Sequence, residues 1–446
     1  MTGSQLPALK TEVPGPRSRE LAEELRRYEC AAITFVGEEF PVFWESASGA
    51  NVRDVDGNIY VDTTAGFGVA TLGHSRPEIV EAAQEQMSKL THGLGDVHPS
   101  AAKVELARLL SEVTPGNLGH AIFGSSGSES VEAALKTAML ATGRSKFIAF
   151  EGGYHGLTFG ALSMTHRPDF REPFEAQLGI EVVHLPYPDP YRPAYDQSGD
   201  VGRLLVQVAA ALEKKDIAAI VVEPIQGRGG EVVPPDDFLP GLRDLCDQHG
   251  TLLIADEIFT GFCRTGEWFA VDHVGVVPDL MCIGKAMSNG FPISACVGRP
   301  DVMAAWGESQ GEAIHTSTFL GHPVGCAAAA RSIRLMQEEA LPEVCAKKGD
   351  RLLALLTELQ KKHPAIGDVR GRGLLIGVEC VHNRETKEPA PDISWQLVLA
   401  ALKRGYLLLG GGSRRNVISI SPPATITDEQ MLALVDAMDK CLEEIG

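Results

Sequence analysis

Ile217-Ala218-Ala219-Ile220-Val221-Val222-Glu223 is an apolar run that stops at an acid. It shows no alternation of apolar and polar residues, so both faces are buried. That is the mark of a strand in a parallel sheet under helices. Residues 146–150, 251–256 and 280–283 are short apolar runs of the same kind. Helical stretches separate them between Pro77 and about Gly298, so the middle of the chain predicts an α/β fold with a large domain over residues 77–326.

On the N-terminal side, residues 1–16 read as a mobile tail and residues 21–28 as a short charged helix. Asp54-Val55-Asp56-Gly57-Asn58 reads as a hairpin turn. Residues 1–76 as a whole are expected to contribute to a smaller domain. From about Ala327 two long helices precede short strands alternating with helices, which predicts a C-terminal α+β domain over 327–446.

The 446 residues carry 40 Lys plus Arg against 59 Asp plus Glu, a formal net charge of −19. Non-specific nucleic-acid binding needs a basic surface, so that partner class is excluded, whereas a local site for a small anion is not. With 44% hydrophobic and 22% charged residues the chain is not a disordered one. The nine cysteines stand singly with no Cys-x-x-Cys pair, which suggests neither a zinc ribbon nor a disulfide framework. His74, His92 and His98 match no ligand spacing, so no metal is expected. The N-terminus lacks an apolar h-region, and no run reaches the roughly 18 apolar residues of a membrane span. The expectation is a soluble, cytoplasmic protein.

Four stretches carry chemistry. The run at 251–256 ends in Asp256-Glu257, at the sheet edge where open α/β folds bind ligands. Asp256 is either a helix cap or ion-pair partner of Arg264, or a carboxylate reserved for a cationic ligand group. Leu280-Met-Cys-Ile-Gly284-Lys285-Ala286 places a lysine between small residues; it is either a solvated surface lysine or an amine desolvated enough to form an imine. In Gly124-Ser125-Ser126-Gly127-Ser128-Glu129, a helix start offers free N–H groups and hydroxyls to an anion, or simply a capping box. Glu151-Gly-Gly-Tyr154-His155-Gly156 sets an aromatic ring at a strand end, for stacking or for the core. A phosphate cradle, a stacking ring, a strand-end carboxylate and an imine-forming lysine together are what pyridoxal phosphate requires.

With these motifs, and with Val222-Glu223-Pro224-Ile225-Gln226-Gly227, Thr260-Gly261-Phe262, Arg264-Thr265-Gly266 and His315 through Thr318-Phe319 to Pro323, the chain resembles the class III pyridoxal-phosphate aminotransferases of the ornithine and 4-aminobutyrate type. The resemblance implies fold type I, with a mostly parallel seven-stranded sheet in the large domain. It implies that Lys285 carries the cofactor as a Schiff base and that Asp256 holds the pyridine nitrogen protonated. It places Ser126, Gly127, Ser128, Tyr154 and Ile258 around the cofactor, and Thr318 on the phosphate of a neighbouring subunit, hence a homodimer with shared active sites. The implied reaction moves an amino group from an amine or amino acid to an oxo acceptor. The stretches at 185–193 and 367–373 also resemble a branch containing amino-acid and aminolactam racemases, which makes racemisation the alternative.

Two positions depart from the common pattern. Phe259 stands where many members have a Gln that contacts the cofactor's phenolic oxygen, and Ser419 where many have an Arg that grips a substrate carboxylate. Either Arg414 or Arg415 takes over that grip, or the substrate is held differently. Glu223 would then meet a substrate amine or hydroxyl, and Phe67 and Trp44 complete the expected substrate pocket.

Overall fold

A computed structural model describes residues 2–194 and 201–445. The chain divides into two compact units, Met1–Arg76 with Lys347–Gly446, and Pro77–Ala346. The division falls inside the helix Leu341–Lys362 rather than after Cys326. Helix Pro323–Glu338 belongs with the large unit because it packs on helices Pro77–Lys89 and Ala101–Val113, burying Cys326, Ala329, Ile333 and Met336.

The large unit is built on seven strands, numbered here along the chain: β1 His120–Gly124, β2 Lys146–Phe150, β3 Val182–Leu185, β4 Ile217–Val222, β5 Leu252–Asp256, β6 Leu280–Ile283 and β7 Ser294–Gly298. Their order is β1-β7-β6-β5-β4-β2-β3, and only β7 pairs antiparallel to its neighbours. The apolar runs read from the sequence are β2, β4, β5 and β6, with β4 buried throughout. The strands β1 and β3 escape that reading because they are edge strands and only partly buried, and β7 because Ser294 and Gly298 at its ends leave an apolar run of only Ala295, Cys296 and Val297.

Helix Gly127–Thr142 covers this sheet. Val131, Ala134, Leu135 and Ala138 pack with Phe147, Ala149, Val221, Ile254, Leu280 and Cys282. Fully burying each larger aliphatic chain stabilises the unit by about 1.5–3 kcal/mol. The alanines let the helix lie close to the strands, and the helix stops at Gly143 in a left-handed conformation (φ 68°).

In the small unit, Trp44–Ser48, Asn51–Asp54 and Ile59–Asp62 form an antiparallel meander that Tyr406–Leu407 extends in parallel. A second sheet orders Ile366–Arg372, Leu375–Asn383, Val417–Ile420 and Leu409–Gly411. Leu352, Leu356, Ile376, Val378, Ile418, Leu434 and Met438 form its core. The tail expected to be mobile is tied down: Gln5 N donates to Asn51 Oδ1 (2.8 Å), Lys10 N donates to Asn58 Oδ1 (2.7 Å), and Ala8 bridges Ile59. Side-chain amides of the first hairpin satisfy backbone groups that a polar tail would otherwise leave to water. Among the described residues, no helix is long and apolar enough to cross a membrane.

Candidate active site

The parallel strands of the large unit deliver their chemistry to one edge. Gly124, Phe150, Val222, Asp256 and Ile283 end β1, β2, β4, β5 and β6, and Ser294 opens the reversed strand β7 at the same edge. Ligands bind at the carboxyl ends of strands in open α/β sheets because loops and helix N-termini converge there.

Asp256 is buried, and its Oδ2 lies 2.7 Å from His155 Nδ1 while Oδ1 accepts from Ile258 N at 3.1 Å. Burial alone would push the His155 pKa down; the hydrogen bond to Asp256 and the charges of Asp256 and Glu223 outweigh it, and the pKa rises. The result is a buried His155–Asp256 pair in which the carboxylate favours the protonated imidazole. A carboxylate has about four lone-pair sites, so two contacts leave Asp256 able to accept a further N–H.

Lys285 follows β6 with a φ of 41°, a left-handed conformation that is costly outside glycine. Desolvation lowers its pKa to about 8, against the opposing pull of Asp256 and Glu223; Arg228 and Arg264 add to the lowering. Its Nζ lies 4.0 Å from the centroid of the Phe259 ring, a cation–π contact with a buried aromatic. Phe259 thus lies against the very amine that the sequence assigns to chemistry.

Glu223, just beyond β4, accepts from Tyr154 N (2.8 Å) and Gly227 N (3.1 Å). Burial raises its pKa to about 7, although the His155 charge and both N–H donors oppose that rise. The edge therefore gathers two acids, a histidine and a lysine whose charges control one another.

Helix Gly127–Thr142 begins at this edge. Ser126 caps it by accepting from Glu129 N, and the Glu129 carboxylate accepts from Ser125 N, one residue before the N–H that a capping box would use. The cradle is built for close approach. A Cβ on Gly127 would come within 2.8 Å of Ile258 Cδ1, and one on Gly156, where φ is already 120°, within 2.2 Å of Ser128 Oγ. Ser128 Oγ accepts from Leu157 N (3.3 Å), which ties the 151–157 loop to the helix start. Half-buried Tyr154 meets Phe170 edge to face at 5.6 Å, and the Arg228 guanidinium carbon lies 4.8 Å over its ring.

These residues fit pyridoxal phosphate. There is an acceptor for a protonated ring nitrogen in Asp256, an aliphatic face in Ile258, an aromatic ring in Tyr154, a helix N-terminus for a phosphate, and an amine of lowered pKa. Asp256, Ile258, Lys285, Glu223, Tyr154 and the Ser126–Ser128 turn thus come to one strand edge. Thr318 lies in the same unit but is exposed, on the segment before helix Pro323–Glu338.

The remaining candidates belong to the small unit. Phe67 sits in a run of left-handed residues, Ala65 to Gly68, pinned where Asp62 accepts from Thr64 N (2.7 Å) and Gly66 N (2.9 Å). His74 pairs with Asp62 at 2.7 Å and meets Trp44 edge-on at 5.8 Å. Trp44 is 45% exposed, so it is not a core residue. Ser419 is buried opposite Gly377 and Leu409, whereas Arg414 and Arg415 are exposed in the preceding turn.

Sequence reading assigned no role to His155 or Arg228. His155 was visible as the polar centre of Tyr154-His155-Gly156. Arg228 was visible as a single cation among Gly227, Gly229 and Gly230, directly after a quoted motif.

Comparison with known proteins agrees with this geometry. The family model for aminotransferase class-III matches residues 34–442. An acetylornithine aminotransferase of Methanopyrus kandleri is 41% identical over 407 residues, 91% of this chain and 94% of that protein. An alanine/serine racemase of Pyrococcus horikoshii is 32% identical over 452 residues, 99% of this chain and 93% of that one. The omega transaminase from Pseudomonas jessenii, solved in complex with PMP, superposes with a TM-score of 0.89 at 29% identity, covering 95% of this chain and 98% of its own. The strand-edge lysine, its carboxylate and the helix-borne cradle thus belong to a fold type I, pyridoxal-phosphate-dependent enzyme, and the chain is a member of the class III aminotransferase family.

Proposed function

We propose that Lys285 is the amine that holds the cofactor as a Schiff base, and that the enzyme passes an amino group from an amine or amino-acid donor to an aldehyde, ketone or keto-acid acceptor. The observation that carries this reading is the desolvated Lys285 amine sharing a strand edge with the Asp256–His155 pair. When bound, pyridoxal phosphate supplies a carbonyl carbon for amines and an electron sink for the carbon that loses a proton. Asp256, with His155 behind it, keeps a proton on the ring nitrogen. Lys285, with a pKa of about 8, takes and returns the proton at the substrate carbon near neutral pH. Ser126, Gly127 and Ser128 receive the phosphate, and Tyr154 and Ile258 hold the two faces of the ring. We assign Glu223, Phe67, Trp44 and Ser419 to the substrate side.

We further propose a homodimer in which Thr318 reaches the neighbouring subunit's phosphate. Support comes from the exposed apolar residues Leu90, Leu94, Val97, Ile314 and Phe319, a group costly to leave in water. The two segments that carry them are stitched together by Thr316 Oγ1 donating to Asp96 Oδ2 (3.0 Å). A reducing, cytoplasmic setting accords with nine free cysteines, eight of them buried.

The test is spectroscopic. Adding a panel of amines to the yellow enzyme should discharge the cofactor absorbance, and a keto acid or aldehyde should restore it. Scrambling of donor stereochemistry in deuterated water with no acceptor present would instead establish racemisation. Lys285→Ala should lose the covalently held absorbance; its retention would refute the assignment.

A further inference from the structure

Ser419 has no guanidinium to offer an anionic substrate group, whereas Arg228 brings one to the strand edge of the large unit. Arg228 lies on a hairpin closed by two backbone hydrogen bonds, Gln226 N to Val232 O (3.1 Å) and Val232 N to Gln226 O (3.0 Å). Within it, Gly230 N and Glu231 N both donate to Gly227 O. The hairpin is anchored twice. Gln226 Nε2 donates to Glu151 O (2.8 Å) in the loop that carries Tyr154, and Gly227 N donates to Glu223. The side chain is fixed as well, with its guanidinium carbon 4.8 Å over Tyr154 and 5.4 Å over Phe170. A guanidinium laid on aromatic faces keeps its N–H groups in its own plane, in the fork that matches a carboxylate. Arg228 also stays partly exposed at this edge. Its charge is felt at Lys285, where it opposes protonation.

We propose that Arg228 is the specificity-determining clamp for a substrate carboxylate, so that the amino donor and oxo acceptor are an amino acid and an oxo acid rather than uncharged amines and ketones. The inference rests on the aminotransferase reading of this site. Rigidity is what makes it a clamp: hairpin and rings together hold the fork before substrate arrives, so little ordering remains to oppose binding.

The experiment compares Arg228→Ala, Arg228→Gln and Arg228→Lys with the wild-type holoenzyme. The donors are alanine, ornithine and 4-aminobutyrate on one side and butylamine and 1-phenylethylamine on the other. The wild type should favour the carboxylate-bearing donors. The ratio of their kcat/KM to that of the uncharged amines should fall about 10- to 100-fold in Arg228→Ala and Arg228→Gln. The loss should lie in KM, with partial rescue in Arg228→Lys. In cofactor-free protein, amine-labelling of Lys285 followed by mass spectrometry should show a midpoint pH that rises when the Arg228 charge is removed. A wild type that favours uncharged amines, variants that keep the donor ratio, or an unmoved labelling midpoint would each overturn the clamp. A wild type that transfers no amino group from any donor would sink the aminotransferase reading, and the clamp with it.

Discussion

Lys285 shows how one residue's chemistry depends on neighbours far away in sequence. Its lowered pKa comes first from burial, and Asp256 and Glu223 keep it from falling further. In cofactor-free protein its labelling rate should therefore reach half-maximum near pH 8, well below the roughly 10.4 of a solvated lysine. A midpoint indistinguishable from that of surface lysines would refute the desolvation. Phe259 works in the opposite sense, because an aromatic face favours the ammonium form. Phe259→Leu should lower the midpoint, consistent with a contact of about 0.5–2 kcal/mol, and Phe259→Tyr should preserve it. His155 gives the matching test for Asp256. Its raised pKa depends on the Asp256 hydrogen bond, so Asp256→Asn should drop the imidazole pKa measured by NMR, with burial then acting against only the Glu223 charge. Asp256 and Lys285 were both legible in the sequence as strand-end residues. Their mutual electrostatics were not, since His155 and Phe259 reach them only through the fold.

The same division appears among the elements. Strands β2, β4, β5 and β6 could be read directly, because central parallel strands are apolar on both faces. The edge strands β1 and β3 and the reversed strand β7 could not, since partial burial or small polar residues erase that signal. The cradle was legible as a motif but ambiguous between cap and anion site; the structure shows the cap, with Ser126 accepting from Glu129 N. Gly156→Ala tests it, because the new Cβ would meet Ser128 Oγ in a backbone conformation that already disfavours a side chain. Cofactor affinity should fall by at least tenfold in a titration, with a stability loss of about 1–3 kcal/mol in denaturant. Glu257, directly after β5, offers a pH test. It accepts from Val271 N (2.9 Å) and Thr260 Oγ1, yet burial raises its pKa from 4.5 to about 7. Between those values the folded state holds a proton that the unfolded state releases. Its stabilising share is thus complete below pH 4.5 and lost as pH rises through 7. Unfolding free energies of Glu257→Gln should decline less than those of the wild type between pH 5 and 8; parallel declines would disprove the linkage.

For the whole molecule, a formal charge of −19 and the anion site proposed at a helix start are compatible, since N–H groups and hydroxyls need no basic surface. Leu94→Asp and Phe319→Asp place charges in the exposed apolar group and should shift sedimentation from dimer to monomer, with activity lost in parallel; a monomeric wild type would refute the shared site. The sequence by itself determined the α/β class and the cofactor, and singled out Lys285 and Asp256 as candidates, because apolar periodicity and short motifs are local properties of the chain. Only the tertiary structure decided that His155 partners Asp256, that Phe259 seats Lys285, that Arg228 lies over Tyr154, and that Gln5, Ala8, Lys10 and Thr11 are tied to Asn51, Asn58 and Ile59. Those contacts join residues up to about a hundred positions apart, and their energies arise from burial and proximity that no window of sequence contains.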